Sequence, residues 1–174
     1  MLMVAAILGV VFSGTASAHK GGDEALYDPD SGAALEVKVR QMFADMDAGN
    51  TESMMKWADD DVVIYDTNET GAPVGVYNHV DAQKMFDGYA KMMKTEGSNV
   101  KSTINKIDCH ATTSMGFCVL EFDQNQTVSG KTMPAMKFRA TMIARNKDGS
   151  WRWTHWHASP REAGTMMVEP AMRQ

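Results

Sequence analysis

The chain has 174 residues, 44% of them hydrophobic and 22% charged, with a formal net charge of −5. That is enough chain for one domain with a sizeable core, and the composition is globular, not disordered. The acidic balance argues against the basic face that nucleic acid requires, and no basic run suited to anionic lipid is present.

Residues Met1 to Phe12 are almost wholly apolar, and Ala16-Ser17-Ala18 follows as a small-residue cleavage pattern. The apolar run is about a dozen residues, short of the roughly 20 that span a bilayer. It predicts an export signal over 1–18, cut after Ala18, and a periplasmic or secreted mature chain with no membrane span. No Lys or Arg precedes the run, and a buried N-terminal helix is the alternative. No cysteine follows the cleavage point to carry a lipid anchor. Residues 19–31 are polar and punctuated by Gly and Pro, which predicts a flexible leader.

Asp30 or Ser31 can cap a helix over about 33–48, where Leu35, Val39, Met42, Phe43 and Met46 recur at helical spacing. Gly49-Asn50 stops it. Thr51 can cap a short second helix carrying Met54, Met55 and Trp57, which Asp59-Asp60-Asp61 ends. Val62-Val63-Ile64-Tyr65 reads as a strand, Asn68 to Pro73 as a turn, and Val74 to Tyr77 as a second strand. Asn78 caps a third helix to about Glu96, with Ala82, Met85, Phe86, Tyr89, Met92 and Met93 on one face. Strands follow near 100–109, 116–127, 135–145 and 151–159, with Lys147-Asp148-Gly149 as a hairpin turn. A tail runs from 161 to 174.

Three helices in the first half, followed by four long strands, make an α+β pattern with a mostly antiparallel sheet. The apolar stripes of the first and third helices must bury against the concave side of a curved sheet. Such a half-closed cone leaves a chamber between helices and sheet for a small ligand. Cys109 and Cys118 flank the hairpin whose turn lies near Thr112-Thr113-Ser114. If that turn centres between Thr113 and Ser114, the thiols face each other and an oxidising compartment favours a disulfide. A shift of one residue leaves two unpaired core cysteines instead.

The segment from Phe43 to Ser159 resembles the SnoaL-like branch of the NTF2-like superfamily. The matching pieces are Asp47-Ala48-Gly49-Asn50, then Asp61 to Asp66, then Gly75 and a helix starting near His79. Arg139 to Ile143 and the run Asp148 to Ser159 close the match. The resemblance implies a cystatin-like, ketosteroid isomerase-like cone over about 32–160, and often a homodimer. The superfamily spans isomerases, cyclases, hydrolases, dehydratases and members without chemistry, so it does not settle activity.

On the last strand, period-2 alternation places Trp151, Trp153, His155 and His157 on one face and Arg152, Thr154 and Trp156 on the other. The resemblance puts the histidine face inside the cone, where neutral imidazoles can act as base or donor. Two satisfied core histidines are the alternative. Asp66, at an acidic position seen in SnoaL-like sequences, can abstract a proton alpha to a carbonyl if desolvated, or simply cap the following turn. Arg139 and Thr141 share a face; an inward Arg139 would hold an anionic group, whereas a rim Arg139 would pair with Glu121 or Asp123. Tyr65, Phe43, Tyr89, Trp57 and Trp153 are candidates for an apolar wall, and also read as core.

His155 and His157 alone make two metal ligands, with Asp66, Glu121 or His79 as a third, but no HExxH or CxxC motif supports a metal. No phosphate loop or Rossmann fingerprint is present, and no cofactor is expected. Sixteen methionines, several in adjacent pairs, suit adaptable core filling or, in an exported protein, Cu(I) ligation together with a new N-terminal His19. The sequence therefore predicts a cone domain that binds a small, partly apolar molecule. Its rivals are an isomerase, dehydratase or hydrolase using His and Asp, and a periplasmic copper protein.

Overall fold

The first helix begins where Asp28 turns its carboxylate back onto the chain, accepting hydrogen bonds from the Asp30 N–H at 3.1 Å and the Ser31 hydroxyl at 2.6 Å. The computed structural model describes residues 27–67 and 73–161. The expected export signal, the turn over 68–72 and the tail beyond 161 lie outside them. Helix α1 spans Pro29–Asp47, with Pro29 in the first turn, where its missing N–H leaves no hydrogen bond unmade. It starts inside the stretch expected to be a leader, because Asp28 and not Asp30 or Ser31 supplies the cap. Its stripe of Leu35, Val39, Met42 and Phe43 is buried. Gly32 lets the helix approach the sheet closely, since a Cβ there would lie 2.9 Å from the Cys109 carbonyl oxygen.

Helix α2 is Thr51–Met55, capped by Asn50. Strand β1, Ala58–Thr67, then starts earlier than expected: the acidic run Asp59-Asp60-Asp61 belongs to the strand and does not end a helix. Asp59 can be buried there because the Arg145 guanidinium meets it with two donors, Nε and Nη2, the latter at 2.5 Å. Strand β2 is Pro73–Val76, and helix α3 is His79–Met93, capped by Asn78. Strands β3 Asn99–Ala111, β4 Met115–Val128, β5 Lys131–Thr132, β6 Met136–Lys147 and β7 Ser150–Pro160 complete the sheet.

The strand order is β2-β1-β7-β6-β4-β3, with β5 paired to β4. All described pairings are antiparallel except β1 with β7, which run parallel because the last strand returns beside the first. The β6–β7 turn places Asp148 at φ 53° and Gly149 at φ 79°, the two positive values that a tight two-residue hairpin needs. Ser129 and Gly130 repeat this at φ 50° and 78°, creating the small strand β5 absent from the sequence reading. Cys109 stands directly opposite Cys118 and the two are joined as a disulfide, with Cα atoms 4.1 Å apart.

The described helices pack on one face of the sheet. On β4, Gly116, Cys118, Leu120, Phe122 and Gln124 are buried on that side, and on β6 Phe138, Ala140, Met142 and Ala144. Asp47, at the end of α1, accepts the Ser102 backbone N–H with both carboxylate oxygens, at 2.9 and 3.1 Å, which fixes the helix end to β3. The middle of the expected chamber is filled. Phe43 from α1 lies edge-on to Phe122 at 4.9 Å and to Trp156 at 6.0 Å, and Phe122 stacks on Phe138 at 5.1 Å. Aromatic rings of this size interdigitate across the gap and leave the centre of the cone as core.

Candidate functional site

Strand β7 does not alternate simply. Ile143 pairs with His155 and Ala144 with Trp153, so Thr154 is an extra residue, a β-bulge. Its hydroxyl lies 3.3 Å from the Ile143 carbonyl, which it can donate to. One extra residue inverts the facing of everything beyond it. Trp151 and Trp153 before the bulge, and Trp156 and Ala158 after it, are all buried on the helix side. His155 and His157 are turned to the opposite, outer face: His155 is half-buried and His157 exposed. The expectation that the two imidazoles point into the cone with Trp151 and Trp153 is therefore corrected. Burying four large or apolar groups outweighs strict alternation, because each indole removes roughly 150–250 Å² from water.

Asp66 takes the helix side instead. Its Oδ2 accepts the Trp156 indole N–H at 2.8 Å, beside the Phe43–Phe122 rings. The sheet thus separates Asp66 from His155 and His157, and the trio expected to share acid–base chemistry does not converge. Arg139 and Thr141 also lie on the outer face, in a shallow hollow of about 270 Å³ that includes His157 and Ser159. Arg139 donates from Nε to the Ser159 hydroxyl at 3.2 Å. It forms neither of the rim pairs expected of it, since Arg161 holds Glu121 at 2.6 Å and Asp123 at 2.7 Å. Tyr65 is outward too, edge-on to Tyr77 at 5.9 Å and to His155 at 6.0 Å. Its hydrogen bond with Tyr77, and then the charge Tyr77 carries when ionised, push its phenol above the ordinary value.

His155 is held below the ordinary imidazole value, first by burial and then by the nearby His157 charge. Among the described residues no group of three or more His, Cys, Asp or Glu side chains is arranged for a metal ion. Of the third ligands considered, Asp66 is across the sheet, Glu121 is held by Arg161, and a His79 ring nitrogen faces the Met55 carbonyl at 3.1 Å. Met54 and Met55 are buried core residues. His19 and the Met166-Met167 pair lie outside the described residues. Trp57 and Trp153 pack together at 6.2 Å as core, and the Trp153 indole N–H is buried without a described partner.

The remaining helix-side residue of the expected wall, Tyr89, has the most telling environment. Its hydroxyl is buried with no hydrogen-bond partner among the described residues, and so is the Ser102 hydroxyl. Both are neighbours of Asp47: the Ser102 N–H bonds it, and the Asp47 charge, second to burial, pushes the Tyr89 phenol well above its ordinary value. Asp47, at the end of α1, thus stands next to two buried hydroxyls without described partners, one on α3 and one on β3. Sequence reasoning reached Tyr89 but missed Ser102, a small polar residue whose alternation on β3 was its one signal. It missed Trp156 as the partner of Asp66 because the bulge hides their shared face.

Helices on one side of a curved mixed sheet, with the last strand beside the first, define an NTF2-like cone. The family model described as the SnoaL-like domain matches residues 36–162, and the chain belongs to that family. An NTF2-like protein of unknown function from Pseudomonas putida KT2440 superposes with a TM-score of 0.66 at 13% identity, covering 85% of this chain and 99% of that one. An NTF2-like family protein from Streptomyces avermitilis, provisionally called a dehydratase, gives 0.64 at 14% identity, covering 78% and 100%. The kinase hub homology domain of Chlamydomonas reinhardtii gives 0.60 at 18% identity, covering 76% and 98%. At these identities the likeness is one of fold. No curated protein sequence matches the chain. No described helix is long and apolar enough to cross a membrane.

Proposed function

We propose that this protein is an exported cone domain that binds a small, partly apolar molecule at the helix–sheet junction, without acid–base chemistry by its histidines. The observation that carries this is the pair of buried hydroxyls, Tyr89 and Ser102, left without hydrogen-bond partners among the described residues beside Asp47. Native structures rarely leave such groups unmet, because each costs about 1–3 kcal/mol. A bound molecule with a donor and an acceptor on an apolar frame meets both needs. With Arg139 on the outer face, the charged group next to the two hydroxyls is the Asp47 carboxylate, which favours a neutral or cationic polar group over an anion.

The test is titration with 1-aminoanthracene, an apolar frame bearing an amine, read as quenching of tryptophan fluorescence. Saturable binding at one site per chain is expected, and Tyr89→Phe should weaken it about fivefold, the equivalent of one hydrogen bond near 1 kcal/mol. Non-saturable binding, or an affinity untouched by both Tyr89→Phe and Ser102→Ala, overturns the reading.

A further inference from the structure

One row across the outer face of the sheet leaves its cations unpaired. Strand register sets Lys106 on β3 opposite Glu121 on β4, Glu121 opposite Arg139 on β6, and Arg139 opposite Ser159 on β7. A carboxylate thus lies between two cations, yet it serves neither. Glu121 is bonded by Arg161 at 2.6 Å, and the same guanidinium holds Asp123 at 2.7 Å. Lys106 has no ion-pair partner among the described residues, and Arg139 has only the Ser159 hydroxyl, which its Nε meets at 3.2 Å.

The two cations share a shallow hollow of about 270 Å³ with Val119, Thr141 and His157. Ser159 occupies Nε of Arg139 and leaves both Nη groups without a described acceptor. Two N–H groups side by side are the fork that a carboxylate fits. The Lys106 and Arg139 backbones stand two strand spacings apart, about 9.6 Å, so an anion above Glu121 lies in the field of both charges. Asp108, opposite Val119, is the other carboxylate at the margin, and the His110 ring engages it at 3.1 Å. The carboxylates bordering the hollow are therefore engaged, and the two cations are not.

We infer that this hollow binds the carboxylate of a small organic molecule, with Arg139 and Lys106 as its charge partners. The organic body is called for by the adjacent row, where register sets Val119, Thr141, His157 and Tyr65 side by side across β4, β6, β7 and β1. Val119 is 39% exposed and Tyr65 43%, so apolar and aromatic surface stands open beside the cations. Exposed ion pairs are weak by themselves, and covering that surface adds the apolar contribution that a small ligand needs. An inorganic anion would meet the cations and leave the row in water. The hollow is on the opposite side of the sheet from Tyr89 and Ser102. It is a second site with the opposite charge preference, and it stands or falls independently of the first.

The test is equilibrium dialysis of the purified protein against 2-naphthoate at low salt, with 2-naphthamide as its uncharged counterpart. Saturable binding of 2-naphthoate is expected, with the amide about fivefold weaker. Arg139→Gln and Lys106→Gln should each weaken 2-naphthoate about three- to fivefold, the scale of an exposed charge pair. Raising NaCl from about 50 to about 500 mM should weaken it by a similar factor. Both side chains are exposed, so the variants should keep the wild-type near-UV circular dichroism and bind 1-aminoanthracene as the wild type does. Absence of saturable binding, equal affinity for acid and amide, or an affinity untouched when Arg139→Gln and Lys106→Gln are combined, overturns the site. A loss caused by Tyr89→Phe puts the anion on the helix side and overturns it as well. Inorganic phosphate that displaces 2-naphthoate at equal concentration overturns the organic class of ligand.

Discussion

Replacing Tyr89 by Phe removes one oxygen and gives opposite signs for the empty and the occupied protein. In the empty protein the phenolic hydroxyl is buried beside Asp47 with no described hydrogen-bond partner. Burying a hydroxyl in that state costs about 1–3 kcal/mol, and Phe fills nearly the same volume without it. The variant should be more stable by about 1–2 kcal/mol, a rise in Tm of roughly 4 °C for a domain of this size. Urea denaturation of protein freed of bound molecules by refolding measures the difference directly, and an unchanged m-value shows that the unfolded state is unaltered. The same substitution should reduce affinity for 1-aminoanthracene, so the two assays move in opposite directions. The alkaline limb gives a second readout. The folded phenol titrates above its ordinary value of 10.0, so its contribution is present below pH 10 and is lost as pH rises beyond it; Tyr89→Phe should lose less stability there. A variant less stable by about 1 kcal/mol or more would refute the reasoning, since the hydroxyl would then be bonded in solution.

Trp156→Phe should destabilise by about 2 kcal/mol through loss of the indole donor to the Asp66 carboxylate; a double-mutant cycle with Asp66→Asn should show coupling above about 0.5 kcal/mol, and strict additivity would remove that bond from the account. Reducing the Cys109–Cys118 bond, or replacing both by Ser, should cost about 2–3 kcal/mol in urea denaturation, the value for a closed loop of roughly ten residues. Asp59 is held below its ordinary carboxylate value, chiefly by the Arg145 hydrogen bond, so it stabilises above pH 4 and that contribution fades as pH falls through its lowered value. Asp59→Asn should accordingly flatten the acid limb of Tm against pH. Gly116→Val should destabilise by about 1–3 kcal/mol, because a Cβ there would lie 2.7 Å from the Ala111 Cβ and 2.8 Å from Leu35.

Whatever depends on near neighbours could be read from the chain alone. Helical spacing in Leu35, Val39, Met42 and Phe43, the Asp148-Gly149 turn, and the order of three helices before four long strands are set by contacts within a few residues, and with them the α+β class; the family came from the resemblance of the segment Phe43 to Ser159. The hairpin holding Cys109 and Cys118 was legible for the same reason, but two registers stayed open, and only the observed pairing sets the thiols opposite each other. The faces of β7 were not legible. Alternation is a local rule, and the added Thr154 becomes visible only when Ile143 and Ala144 on a separate strand set the register against it. That single residue moves His155 and His157 to the outer face and leaves Asp66 with Trp156 on the other. Likewise the hydroxyls of Tyr89 and Ser102 come from α3 and β3, and their lack of partners among the described residues is a property of the packed junction around Asp47, which no stretch of sequence contains.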